Sequence, residues 1–369
     1  MLLLACTGEV DDTEAPVGDT QCQGTPYFLD EDGDGLGIGA PQHLCEPRDG
    51  FTATIDGDCY DDSASVAGDG LWLLGSDDQD LSHAEDALVH LTVDEPSTLV
   101  VCPGALYALS TTATADLLVV GAEGATLSGL DEARLFEMTG ATLSIFDVAL
   151  VHGYATGDGG AIWTDSDVTI RGGSLTENSA ANGGAVFQAG AEGHVVFSST
   201  ALSDNTADDN GGAAVIEGHL ECGGTSFRTN TATNGGALYL GIGTSLFDGS
   251  TFEGNIANRG GALDLRPPHV TTLGNSALTG NQASFGGAFA TWETARLDCV
   301  DSAIEGNTGD TKGGGAWLLP SNDAVSLTSE NCTWGEGDTD NVRDDIYNTQ
   351  TAYSGTSDTW SCTGLTCSL

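Results

Sequence analysis

The chain runs to 369 residues and carries 55 Asp and Glu against 9 Lys and Arg, a formal net charge of −46. The summed field of such a surface repels nucleic acid, anionic membranes and acidic polysaccharides, so none of these is expected as a general partner, while cations are attracted. Ten cysteines point to an oxidising compartment, and no stretch is long and apolar enough to read as a membrane-spanning helix.

The chain begins MLLLACTGEVDD. Leu3-Leu4-Ala5-Cys6 resembles the lipobox at which bacterial lipoproteins are cleaved and lipidated. Only three leucines precede it, and a signal peptide has a longer apolar stretch, so residues 1–6 read as a truncated signal with Cys6 as the lipidation site. Residues 7–26, acidic and containing Thr and Pro, read as a flexible linker from that anchor.

Residues 27–70 form a separate acidic unit. Asp30, Asp32 and Asp34 stand at alternate positions in DEDGDG, followed by Gly35 and the carbonyl of Leu36. Three carboxylates so close together repel unless a cation lies between them, and this spacing wraps oxygen ligands around one hard ion, so a structural calcium is expected. Position twelve of an EF-hand would be Pro41, which is no ligand, so the remaining oxygens are assigned to Asp58 and Asp61. A Cys45–Cys59 bridge would bring them near. The segment resembles the metal-binding motif modules of bacterial surface proteins, with a DADGDG-like loop, a Cys and a closing Asp-Cys-Asp-Asp. Here the closing run is DCYDD, with Tyr60 inserted.

The stretch Ser82 to Leu91 reads as a short helix covering the open end of a repeat region. Ser82 and Glu85 form a capping-box pattern, and Leu81, Ala84, Leu88 and Leu91 share one face.

From there to residue 340 the sequence repeats. Asn178, Asn205, Asn230, Asn255, Asn281 and Asn307 succeed one another at 27, 25, 25, 26 and 26 residues, and Gly153 takes the same place 25 residues earlier. Three residues before each marker stand Leu150, Leu175, Leu202, Phe227, Phe252, Leu278 and Ile304, an inward column without a polar exception. Eight and ten before the marker, apolar columns alternate with polar neighbours at period two, the signature of a strand. Cys222 and Cys299 fall in the first of these columns, too far apart to pair, and read as small buried hydrophobes. Gly-Gly pairs such as Gly235-Gly236 suit a corner with positive φ. A fixed period of this length, built of short strands with no helix between them, predicts an all-β, right-handed parallel β-helix over residues 81–340, its rungs stacked at about 4.8 Å. Residues 341–369 are expected to form a C-terminal cap or tail. Cys362 is expected to pair with Cys367 or Cys332.

The N-x-A and GGA rungs, with Phe227 and Phe252 three before Asn, resemble the FxxN and GGAI repeats of polymorphic outer membrane proteins and related pectate-lyase-like β-helices over about residues 98 to 320. The resemblance implies exposure on the bacterial surface and adhesion, with glycans or neighbouring-cell molecules as partners. In place of a membrane barrel, a lipid anchor or secretion is expected.

β-Helices also carry polysaccharide lyases and hydrolases, so fold alone does not decide function. A lyase acting on uronates needs a basic residue and cations to hold carboxylates. This chain has one lysine, Lys312, and Arg171, Arg228 and Arg296 fall in different columns, so no basic cluster is expected. A hydrolase needs paired carboxylates on one wall, and Asp208-Asp209 lie in a turn without partners. One outward column, eleven before the marker, places Asp167, His194 and His219 on successive rungs, where imidazoles would share a transition metal or remain solvated. The expectation is a non-enzymatic surface or adhesive protein of the outer membrane or the secreted fraction, the alternative a carbohydrate-active enzyme on the same scaffold.

Overall fold

The inward columns stack as the period requires. In the computed structural model, Leu150, Leu175, Leu202, Phe227, Phe252, Leu278 and Ile304 lie in register on successive parallel strands, and all are fully buried. The structure describes residues 70–348 except 86, 122–123, 321–324 and 336–339, together with the backbone of a few strands on either side of that range.

The chain divides into two units, residues 1–68 and 69–369. The first contributes a four-stranded sheet in the order Phe51–Ala53, Thr25–Leu29, Leu36–Leu44, Ile55–Asp56. Thr25–Leu29 and Leu36–Leu44 are antiparallel. Leu36 pairs with Ile55. Asp30, Asp32, Asp34, Asp58 and Asp61 lie outside the described residues, as does Cys6.

The second unit is a parallel β-solenoid of about nine turns with rungs of about 26 residues, consistent with a right-handed β-helix. Each rung supplies one strand to each of three sheets. In the first, inward pairs such as Val195 and Phe197 alternate with half-buried neighbours. The second sheet carries the Leu/Phe column. The third comes after the Gly-Gly corner, where Gly211 has φ 61° and a Cβ would come within 2.1 Å of Ala214 O. In the interior, Phe227 and Phe252 stack at 4.6 Å and Phe247 meets Phe252 edge-on at 5.1 Å, arrangements that add to simple burial. Ser245 and Thr271, which interrupt the apolar column, bond to each other at 2.8 Å, and Ser245 also meets the buried His269 Nε2 at 3.1 Å.

The marker asparagines form a buried ladder. Asn205 Nδ2 donates to Asn230 Oδ1 at 3.0 Å and to Leu175 O at 3.0 Å, while Asn205 N donates to the same Asn230 Oδ1 at 3.1 Å. The pattern repeats through Asn230, Asn255 and Asn281 to Asn307. It continues to Asn341, 34 residues later and outside the regular period. Each amide is satisfied by its neighbours, which removes the cost of burying it.

The expected cap helix is not there. Ser82–Glu85 is a single 3-10 turn, and Val89–Val93 is a strand parallel to Leu106–Ala113. Leu91 and Val93 are buried while His90 and Thr92 are exposed, so the alternation of VHLTV overrides a marginal helical pattern. Ser82 Oγ accepts from Leu71 N and Asp80 Oδ1 accepts from Ser82 N. Closure comes from strands: Leu71–Leu74 runs antiparallel to Ser97–Val101 at one end, and Ser361–Thr363 antiparallel to Val325–Glu330 at the other. Cys222 is a free buried thiol, but Cys299 is disulfide-bonded to Cys332 and Cys362 to Cys367. Cys332 reaches Cys299 because it occupies the turn between the first and second sheets, where Ser302 stands one rung earlier.

Candidate binding surface

The outward face of the third sheet is aromatic. Glu137, Trp163, Phe187, Val215, Tyr239, Asp264, Ala290, Trp317 and Tyr347 succeed one another in register, one per rung. Trp163, Phe187, Val215, Tyr239, Asp264 and Ala290 each stand second after a Gly-Gly-Ala corner, so the chain turns at the glycines and delivers the next outward position to this face, while Trp317 directly follows Gly-Gly-Gly-Ala and no such corner precedes Glu137 or Tyr347. The five aromatic side chains are half-buried, presenting ring surface to solvent.

A second column borders the strip. Asp158, Asn182, Asn210, Asn234, Arg259, Phe285 and Lys312 are aligned rung by rung. Asn234 Nδ2 donates to Asn210 Oδ1 at 2.9 Å, Asn210 Nδ2 to Asn182 Oδ1 at 2.7 Å and Asn182 Nδ2 to Asp158 Oδ1 at 2.8 Å. Unlike the interior ladder, these amides are half-buried and keep hydrogen-bonding capacity toward solvent.

Toward the C-terminal end the strip changes character. Asp264 is fully buried although it stands in an outward register, because the groups around it close over it. Its Oδ2 lies 3.2 Å from Arg266 Nη2 and 3.9 Å from Arg259 Nε, and its Oδ1 accepts from Trp292 Nε1 at 2.9 Å. The Arg266 guanidinium stands 4.4 Å from the Trp292 ring centroid and 5.2 Å from that of Tyr239, and Arg259 stands 4.9 Å from Trp292. Trp292 meets Trp317 edge-on at 5.5 Å, and Lys312 lies 4.4 Å from the Tyr347 ring. Burial raises the Asp264 carboxyl to about 6, against the opposing pull of Arg266 and Arg259. Burial also raises the Tyr239 hydroxyl. A perturbed carboxyl in an aromatic setting is a candidate acid, but Asp264 has no exposed surface. It acts on the two guanidiniums, which it holds against the rings.

A basic cluster therefore exists, contrary to the expectation from Arg171, Arg228 and Arg296. Arg259 stands at a corner and Arg266 just past a strand, and only the fold brings them to one carboxylate. The aromatic column shows in the sequence only in part: the second residue after GGA is Trp163, Phe187 and Tyr239 on three rungs but Val215, Asp264 and Ala290 on three others.

The histidine column lies on the first sheet. His194 and His219 are in register. Asp167 Oδ1 accepts from His194 N at 2.8 Å, His194 Nε2 lies 3.5 Å from Glu221 Oε1, and His219 Nδ1 lies 2.8 Å from Thr244 Oγ1. Each ring thus turns to a different partner beside an open hollow of about 530 Å³. Among the described residues, no three His, Cys, Asp or Glu side chains are placed to hold one metal ion, and no helix is long and apolar enough to cross a membrane. No family model matches the sequence, no curated protein matches it, and no solved structure matches the chain.

Proposed function

We propose that this chain is a non-catalytic binding protein of the bacterial cell surface that holds a glycan along the third face of its solenoid. The aromatic strip carries the reading. Half-buried rings offer flat apolar faces of the kind on which sugar rings stack, and the bordering amides of Asn182, Asn210 and Asn234 supply hydrogen bonds to hydroxyls. Rungs about 4.8 Å apart place alternate rings, such as Phe187 and Tyr239, about the length of a disaccharide from each other. The net charge of −46 favours an overall neutral polymer over a polyanion. Lipidation at Cys6 and a calcium ion at Asp30, Asp32, Asp34, Leu36, Asp58 and Asp61 complete the proposal, as anchor and as brace for the N-terminal unit on the outer membrane.

The test is retention of the full chain on insoluble neutral polysaccharides (cellulose, xylan, mannan and chitin), with analysis of soluble products. Retention on one of them without new reducing or unsaturated ends, lost in the Trp163→Ala, Phe187→Ala double variant, is the expected result. Release of sugar ends would favour the carbohydrate-active enzyme. Retention unaffected by the double variant would remove the strip from the account.

A further inference from the structure

Three arginines of this acidic surface each have a carboxylate of their own: Arg134 with Glu137, Arg228 with Glu253 and Arg296 with Asp298. On the third face the ratio differs. Arg259 and Arg266 share the single carboxylate of Asp264. Their side chains are 27 % and 22 % exposed, and the Nε of each is buried without a hydrogen-bond acceptor. The donors therefore outnumber what Asp264 offers, and one positive charge is left partly desolvated over the Trp292 ring. Glu217, a further carboxylate, lies over Gly241 on the Tyr239 side, and forms no ion pair within 4 Å of either guanidinium among the described residues. A half-buried cation without a counter-charge is satisfied by an anion from outside, and a guanidinium fork matches the two oxygens of a carboxylate.

We infer that Arg259 and Arg266 form an anion subsite at the C-terminal end of the strip, taking one carboxylate carried by an otherwise neutral glycan. The inference rests on the glycan reading of the strip and deepens it. Trp292 and Tyr239 provide ring surface for the sugar that bears the acid, and Asp264 fixes the guanidiniums in place before the ligand arrives. A single excess charge suits a single acidic substituent. A polymer with an acid on every residue would meet the repulsion of the remaining surface.

The experiment titrates the full chain with sodium glucuronate, methyl glucoside and sodium acetate, monitoring tryptophan fluorescence. Glucuronate is expected to give a saturable change that is absent in Trp292→Phe and weakened by raised salt. Methyl glucoside and acetate should each bind about tenfold or more weakly than glucuronate. The Arg259→Gln variant should lose about tenfold or more in glucuronate affinity, as expected for one charge-assisted hydrogen bond. Equal responses to glucuronate and methyl glucoside would overturn the subsite while leaving the strip standing. Equal responses to glucuronate and acetate would reduce it to a general anion site and overturn the sugar assignment. No response to glucuronate would likewise overturn the subsite, and retention on neutral polysaccharides then judges the strip independently. Circular dichroism of Arg259→Gln checks that the solenoid is intact, and Arg266→Gln serves as the second variant.

Discussion

Replacing Asn230 by alanine isolates what the interior amide ladder contributes. The Asn230 side chain takes part in four hydrogen bonds. Its Oδ1 accepts from Asn205 N at 3.1 Å and Asn205 Nδ2 at 3.0 Å, and its Nδ2 donates to Leu202 O and Asn255 Oδ1, both at 3.0 Å. At about 1 kcal/mol net per bond, the loss comes to about 4 kcal/mol. The sharpest single penalty falls on Asn205 N, a backbone donor in a fully buried residue, which loses its acceptor. The control is Asn210→Ala. That side chain makes two ladder bonds in a half-buried position, where water can replace them, so its cost should stay below about 1 kcal/mol. Urea unfolding monitored by tryptophan fluorescence compares the two. A broader transition in Asn230→Ala alone is also expected, since a weak rung in the middle of a solenoid divides its nearest-neighbour coupling. If Asn230→Ala proves no more destabilising than Asn210→Ala, the ladder is a geometric coincidence of stacking and not a source of stability.

Other perturbations have equally definite outcomes. Asp264 sits at about 6 when folded, against its usual 3.8, so between these values the folded state holds a proton that the unfolded state releases. Stability should therefore fall as pH rises from about 4 to about 6, by about 3 kcal/mol relative to Asp264→Asn, and level off above; parallel pH profiles for the two proteins would contradict this. Deleting residues 206–230, one 25-residue period, should leave a folded solenoid one rung shorter, whereas deleting half of that stretch should not, as thermal melts would reveal. Calcium, with a dissociation constant on the order of 10⁻⁴ to 10⁻³ M, should protect residues 27–67 from limited proteolysis in the parent and not in Asp32→Ala. Identical cleavage patterns with and without the ion would argue against the site.

The solenoid was legible because stacking couples distant positions to one period. A residue such as Leu202 repeats its neighbours Leu175 and Phe227 in both identity class and spacing, and the ladder of side chains is the physical cause of that repetition. The same logic fails where the period breaks. Asn341 completes the amide ladder from a rung lengthened past the regular spacing, and Cys332 reaches Cys299 across that longer rung, so neither could be reached by column arithmetic. The stretch around Ser82 failed for another reason: a capping box and four apolar residues describe a helix too short to hold itself, and strand pairing at the solenoid's open end took Val89–Val93 instead. The basic cluster was hidden because it joins a corner residue to a strand-end residue. Arg259 and Arg266 belong to different columns, and their common partner, Asp264, interrupts an aromatic one.

The interior ladder also has a direction. From Asn178 to Asn307 each side-chain amide donates to the Oδ1 of the next asparagine and to a carbonyl of the rung before, and its own Oδ1 accepts only from the rung before, starting at Gly153 N and Asn178 Oδ1. The side-chain dipoles are thus aligned head to tail along the solenoid axis, with their positive ends toward the C-terminus, and each polarises its neighbour. At that end Asn341 Nδ2 donates to Asp345 Oδ1 at 3.0 Å, and Asp345 is buried. A carboxylate thus closes the positive pole of the column, as an acidic side chain does at the N-terminus of an α-helix. The solenoid is accordingly an electrically polar rod as well as a repetitive one.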